Sequence, residues 1–291
     1  MKRLLLAVFL SVVSGFVQAE ERLRPFVLAW QGQDTVEART EWAKKALAEK
    51  GFALAGEYTP YEGAHVIVVT NDALKKLAAQ SERGGFGAMQ RIGITQVGEE
   101  VQVAYTNPPY MAHAYRMAGD MKDIAQALEA ALGRIKDFGS KEGMTPEELR
   151  RYHYMFGMPY FDDQDELASY GSYEAGLQRA EAGLAAGKGG VHKVYRIDLP
   201  GKQETVFGVQ LTEGCSADKY IMERIDFTPL KHTPHLPYEF LVSGNKAYAL
   251  NAKFRIAINF PDLGMFGEHS FASIMCAPDA IQEALSKAAG G

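Results

Sequence analysis

Two stretches of this chain carry the same succession of local signals, and that recurrence restricts the folds open to it more than any other feature. In the first, Ile92-Gly-Ile-Thr-Gln-Val97 and Val101-Gln-Val-Ala-Tyr105 alternate apolar and polar residues, the period of a strand with one buried face. Gly98-Glu99 joins them as a short hairpin connection. The second strand must stop at Asn107-Pro108-Pro109, because proline lacks the ladder N–H and turns its predecessor away from helix. Beyond it, Met111 and Tyr115, and His113 and Met117, stand four apart, as on one helix face. From Tyr238 to Met275 the pattern returns in altered form, with a turn at Gly244-Asn245, a longer hairpin and a second corner at Asn259-Phe260-Pro261.

The flanking elements repeat as well. A strand runs over Arg24–Trp30. Asp34 then reads as the cap of a helix, with Glu37 three residues on, Gly51 past the end, and the buried stripe Val36, Thr40, Ala43 and Leu47. After Ser172, an equivalent cap, the stripe Tyr173, Leu177, Ala180 and Leu184 lies a constant 137 positions later and ends at Gly189-Gly190. In the first half a strand from Phe52, a Pro60–Gly63 turn, the strand Val66–Thr70, a short helix from Asn71 or Asp72, and the Gly84–Gly87 loop lead to the hairpin. Val191–Ile197, Pro200-Gly201, Val206–Thr212 and a helix capped near Ser216 match them in order. Asp120 reads as the cap of a helix with stripe Ile124, Leu128, Ala131 and Ile135, and Pro278-Asp279 opens a last helix carrying Ile281 and Leu285. These correspondences predict an α+β fold of two similar repeats, each an antiparallel sheet covered on one face by helices, together an internal pseudo-dimer. The divisions are 20–138, a connector over 139–166, and 167–291. Thr145-Pro146-Glu147-Glu148 opens a short helix in the connector.

Residues 1–19 read as an export signal, with Lys2 and Arg3 charged, Leu4–Phe16 apolar, and Val17-Gln18-Ala19 a small-residue cleavage site. That apolar run is shorter than the roughly twenty residues a membrane span needs, so we expect secretion to the periplasm and no membrane span. Loss of Lys2 and Arg3 takes the formal charge from −5 to −7, and an acidic chain without a basic cluster is a poor nucleic-acid binder.

The strand from Phe52, the Val66 strand, the hairpin after Gly87 and Asn107-Pro-Pro-Tyr-Met111 together resemble the family called domain of unknown function 302, with the second half resembling a degenerate copy. The resemblance implies a unit similar to half of the TATA-box-binding protein saddle, and a tandem pair that replaces the dimer of single-copy members, so that no further oligomer is required. It brings no established activity and no catalytic residue.

The search for chemistry is largely negative. Gly183-Leu-Ala-Ala-Gly187-Lys188 has the spacing of a phosphate loop less one residue and no Ser or Thr after the lysine, and reads as a glycine-capped helix end. No G-x-S-x-G, H-E-x-x-H or C-x-x-C-H occurs. The acidic run Asp162, Asp163, Asp165 and Glu166 reads as solvated surface rather than paired catalytic carboxylates. An enzyme of unknown reaction remains an alternative. Two cysteines, Cys215 and Cys276, are expected to form a disulfide in an oxidising compartment, against a competing reading as free thiols. Met111, His113, Met117 and Met121, with His153, Met155 and Met158 in the connector, make a soft donor set suited to copper(I), against the reading of buried Met and Tyr as core. His232-Thr-Pro-His235 offers a second chelate or a rigid loop. The expected function is a non-catalytic periplasmic binding or accessory protein, its partner a small molecule bound between the repeats or another periplasmic protein, with no cofactor unless copper. Tyr110, His113, Tyr115, Tyr152, Tyr154 and Tyr160 are the candidate ligand contacts, or simply aromatics that join the halves.

Overall fold

The computed structural model describes residues 21–291. The export signal expected over residues 1–19 lies outside the described residues. Eleven strands form two antiparallel sheets among them. The first comprises β1 (Phe26–Gly32), β2 (Ala53–Tyr61), β3 (Ala64–Thr70), β4 (Gln90–Val97), β5 (Glu100–Thr106) and β6 (Lys136–Phe138), in the order β2-β3-β4-β5-β1-β6. The second comprises β7 (Asp165–Ser169), β8 (Val191–Asp198), β9 (Glu204–Leu211), β10 (Tyr238–Ser243) and β11 (Lys246–Ala249), in the order β8-β9-β10-β11-β7. Apart from β6, the chain visits both sheets in the same order. A bulge even falls at matching places, between Leu54 and Gly56 in β2 and between Lys193 and Tyr195 in β8. The fold is α+β, as the element pattern predicts.

Helices α1 (Val36–Glu49), α2 (Asp72–Gln80), α3 (Pro108–Ala114), α4 (Lys122–Leu132) and α5 (Pro146–Arg150) belong to the first half and the connector, and α6 (Tyr173–Ala185), α7 (Asp218–Ile225), α8 (Ala252–Asn259) and α9 (Ala277–Ala289) to the second. The stripe of α1 is buried at Thr40, Ala43 and Leu47 against β3, β4 and β5. The stripe of α6 is buried at Ala180 and Leu184 and packs on β8 and β10. Because successive strand residues point to opposite faces, the other face of each sheet is free to meet its counterpart. The Gly84–Gly87 turn lies on β9 and β10, and the Thr233–His235 turn lies on β3, β4 and β5. Each half thus sends the turn before its central hairpin onto the sheet of the other. Glu204 of β9 accepts the Gly85 N–H at 2.9 Å, while Thr95 of β4 shares a 2.7 Å hydrogen bond with Thr233.

Several local expectations shift. The cap of α1 is Thr35, whose hydroxyl accepts the Ala38 N–H, while Asp34 binds Arg39 at 2.6 Å. The residue before α4 is Met121 at φ 55, not Asp120, and its helix ends at Leu132, leaving Ile135 exposed. Ala217, after a 3-10 turn containing Ser216, precedes α7. Asp165 and Glu166, expected in the connector, begin β7, which pairs with β11. The second hairpin is shorter than expected because Asn251 caps α8 through the Lys253 N–H. Asn107 and Asn251 therefore both open helices, whereas Asn259-Phe260-Pro261 closes one. The Thr145–Glu148 capping box forms as expected.

Cys215 and Cys276 form the disulfide, with Cα atoms 5.9 Å apart. It ties the turn before α7 to the start of α9, across a separation of 61 residues, which on the chain-entropy account stabilises by about 4 kcal/mol.

A close approach of the two halves fixes a glycine. A Cβ on Gly56 of β2 would lie 2.2 Å from the carbonyl oxygen of Val194 in β8, so backbone would have to move. Gly56→Ala is expected to lower stability by about 1–3 kcal/mol or more in urea unfolding. Gly171→Ala, where nothing stands within 4 Å, should change it by no more than about 0.5 kcal/mol.

Candidate ligand-binding site between the halves

The structure uses three of the sequence-predicted aromatics to bond the second half. The hydroxyl of Tyr110 in α3 is fully buried and donates to the Ile258 carbonyl at 2.8 Å. In the connector, Tyr152 donates to Ala257 at 3.1 Å and Tyr154 to Leu263 at 2.7 Å. Tyr115 stacks on Phe161 with ring centres 5.8 Å apart. Tyr160 is exposed and packs on the His153 ring. Three of these tyrosines thus satisfy carbonyls at or after the C-terminal turn of α8, a helix end whose last C=O groups lack intrahelical partners.

The soft-metal set is not assembled by one helix. Helix α3 ends at Ala114 and Arg116 takes a left-handed φ of 50, so His113, Met117 and Met121 do not follow one another at four-residue steps. Met111, Met117 and Met121 are buried core residues, and Met117 packs over Gly87, where a Cβ would meet its sulfur at 2.7 Å. Met121 Sδ accepts from Gln90 Nε2 at 3.8 Å. The imidazole of His113 is held below its usual pKa by burial and by Arg150. The acidic run also disperses, Asp162 to Arg116 at 2.9 Å and Glu166 to Lys246 at 2.6 Å.

A different site lies between the halves. A cavity of about 560 Å³ is bounded on one side by Lys136–Lys141, from β6 and the turn after it, and on the other by Ile225, Phe227–Leu230, His232, Phe260, Asp262 and Leu263. Its walls are mostly apolar, and its volume falls within the roughly 300–1,000 Å³ of small-molecule sites. The segment 229–231 is clamped from the first sheet by Gln102 of β5, which donates to the Pro229 carbonyl at 2.9 Å and accepts the Lys231 N–H at 3.1 Å.

His232 is the directed polar group in that wall. Asp226 accepts its backbone N–H at 3.0 Å and its Nδ1 at 3.1 Å. A carboxylate accepts only, so the Nδ1 proton points to Asp226, and in the neutral imidazole the lone pair is on Nε2. The ring stacks on Phe260 at 4.6 Å and meets the edges of Phe26 and Phe138. Nε2 has no hydrogen-bond partner among the described residues. Gly139, at φ +96, leaves it uncovered, since a Cβ there would stand 3.3 Å from Nε2. His235 faces elsewhere, accepting from Arg255 through Nδ1 and donating to the Tyr238 hydroxyl, so His232 and His235 do not form a chelate. Sequence reading named His232 only for that chelate. The pairing with Asp226, six residues earlier across a loop, has no periodic signature. Ser140 shares the lining, but its hydroxyl accepts the Gly143 N–H at 3.0 Å.

A second groove, of about 670 Å³, lies in the first half, between α1 and the β2–β3 hairpin. Three of its charged or titratable groups bond one another: Glu57 accepts from Lys44 at 3.0 Å and bonds His65 at 3.1 Å.

No protein-family model, curated protein or solved structure matches the chain.

One buried acid is itself unusual. Asp218, the first residue of α7, is fully buried and accepts the Tyr58 hydroxyl of β2 at 2.9 Å, while its other oxygen has no partner among the described residues. Burial pushes its pKa up to about 8, against about 3.9 in an unfolded chain. Between those values unfolding releases a proton. The carboxyl's favourable contribution is therefore complete below about pH 4 and lost as pH rises through 8. Asp218→Asn, which retains an acceptor for Tyr58, is expected to flatten the fall in melting temperature between pH 5 and 8 and to exceed the parent in stability at pH 8. Parallel melting curves would refute this.

Proposed function

We propose that this is an exported, non-catalytic binding or accessory protein whose ligand occupies the cavity between its two halves. The observation that carries the reading is the uncovered Nε2 of His232 in an apolar wall built by both halves. Such a site suits a small, mainly apolar molecule bearing one hydrogen-bond donor, as a phenol does: the hydroxyl meets Nε2 and the ring lies among Phe138, Leu230, Phe260 and Leu263. Binding is favoured over hydrolysis because no described hydroxyl bonds Nε2, as a nucleophile paired with this base would. Export to the periplasm is supported by the leader signals at Lys2–Ala19 and by the Cys215–Cys276 disulfide. The tandem reading, two copies of a unit resembling domain of unknown function 302, is supported by the shared strand order and matching bulges. No comparable geometry favours the copper alternative.

The test uses 2-naphthol as the probe, followed by its fluorescence. Binding is expected in the micromolar range, abolished by Leu230→Trp, which fills the cavity. Asp226→Asn is the sharper variant. An asparagine can still accept the His232 N–H while donating to Nδ1, which moves the imidazole proton to Nε2 and replaces an acceptor with a donor. It should weaken 2-naphthol binding about tenfold or more. Naphthalene, which has no hydroxyl, should be little affected by that variant. Equal affinity of parent and Leu230→Trp for 2-naphthol would overturn the proposal.

A further inference from the structure

A cluster of charged groups is sealed between the two sheets, and its charges do not balance. Arg91 of β4 and Arg255 of α8 are buried with a single carboxylate, Glu239 of β10. Arg91 Nη1 donates to one oxygen of Glu239, and Arg255 Nε and Nη2 approach the other at 3.4 Å. Arg255 also donates to the carbonyls of His235 and Pro237. His235 completes the cluster but adds no charge, because its Nδ1 accepts from Arg255 Nη1 and its remaining proton is on Nε2, toward Tyr238. Burial and the two arginines hold it neutral. Two cations and one anion leave one positive charge away from water, a costly arrangement unless it is compensated.

Unused donors accompany that surplus. Arg91 Nε, the Tyr115 hydroxyl and the Tyr195 hydroxyl are all buried without a hydrogen-bond partner among the described residues. Both tyrosines lie within electrostatic reach of the Arg91 guanidinium. They come from different parts of the fold, Tyr115 from the residue after α3 and Tyr195 from the bulge of β8, where its ring packs over Gly208. The hydroxyls can accept as well as donate, so Tyr115, the nearer to the guanidinium, can take the Arg91 Nε–H and still turn its own proton outward. Hydroxyl protons beside an uncompensated cation describe a receptor for a small anion, whereas a water would satisfy the donors and leave the charge.

We propose that this interior cluster binds one small monovalent anion, chloride by chemistry, held by Arg91 Nε–H and the hydroxyls of Tyr115 and Tyr195. The anion completes the junction between the halves and is separate from the cavity at His232. The sequence does not announce such a site, since its donors stand at positions 91, 115 and 195.

The test is made on the whole chain, unfolded and refolded in sodium bromide, crystallised, and examined for anomalous scattering from bromine. A peak bounded by Arg91, Tyr115 and Tyr195 is expected. In solution, protein refolded in sodium gluconate should gain thermal stability saturably as chloride replaces gluconate at constant ionic strength. Tyr195→Phe and Tyr115→Phe each remove a hydroxyl that has no protein partner, so both should fold. Each should raise the chloride concentration for half-maximal stabilisation about tenfold. Density without anomalous signal at that position, meaning a water, or melting temperatures that do not distinguish chloride from gluconate, would overturn the proposal.

Discussion

The ion pair between Arg91 and Glu239, joined from the second half by Arg255, is the interaction on which the arrangement of the two sheets rests. Each group alone would be a buried unpaired charge, and removing one partner of such a pair typically costs about 3–5 kcal/mol. Arg91 comes from β4 and Glu239 from β10, so neither half can bury its inner face without the other. The inner faces are also where polar residues gather. Thr95, Gln102 and Glu204 are buried there, and each bonds a segment from the opposite half. The outer faces, under α1 and α6, are apolar by contrast, with Ile92, Ile94, Phe207 and Phe240 fully buried.

Corresponding positions of the halves carry opposite charges. On the outer surface Lys44 of α1 pairs with Glu57 of β2, the residue after the bulge position Gly56. In the second half Glu181 of α6 pairs with Arg196 of β8, the residue after the bulge position Tyr195. Glu181 stands the same 137 positions beyond Lys44 that separates the helix stripes. Between the sheets, Arg91 and Glu239 are each the second residue of their strands and meet each other. Of these pairs only Arg91 and Glu239 meet across the joint, where opposite signs attract and identical charges would repel. Gly56 and Tyr195, matched after the bulges, also touch, a small residue making room for a large one.

Joining the halves consumes most of the features that look functional in isolation. Tyr110, Tyr152 and Tyr154 spend their hydroxyls on carbonyls at or just beyond the end of α8. The buried methionines fill the core around α3, as flexible apolar side chains do. What the joint leaves open is the cavity beside β6, where the 225–232 segment is pinned by Gln102 and His232 is turned by Asp226 so that one nitrogen stays free.

The sequence by itself determined the α+β class, the succession of capped helices and hairpins, the helix stripes and the Thr145 capping box, because period, caps and turn residues are local properties read over a few positions. With only two cysteines it allowed one disulfide against two free thiols, and the structure closes the bond. The sequence misplaced β7 and α8. Asp165-Glu166 is acidic and becomes a strand only by pairing with β11, and Ala252–Asn259, read as hairpin, becomes a helix once Asn251 caps it and the core covers it. Only the tertiary structure decided that the sheets meet face to face, that the aromatics join halves rather than line a site, and that Asp226 and Gly139 together present His232. The first two depend on contacts between residues more than a hundred positions apart, such as Arg91 with Glu239, the last on a loop pairing without a period, and no local spacing encodes which buried side chain meets which.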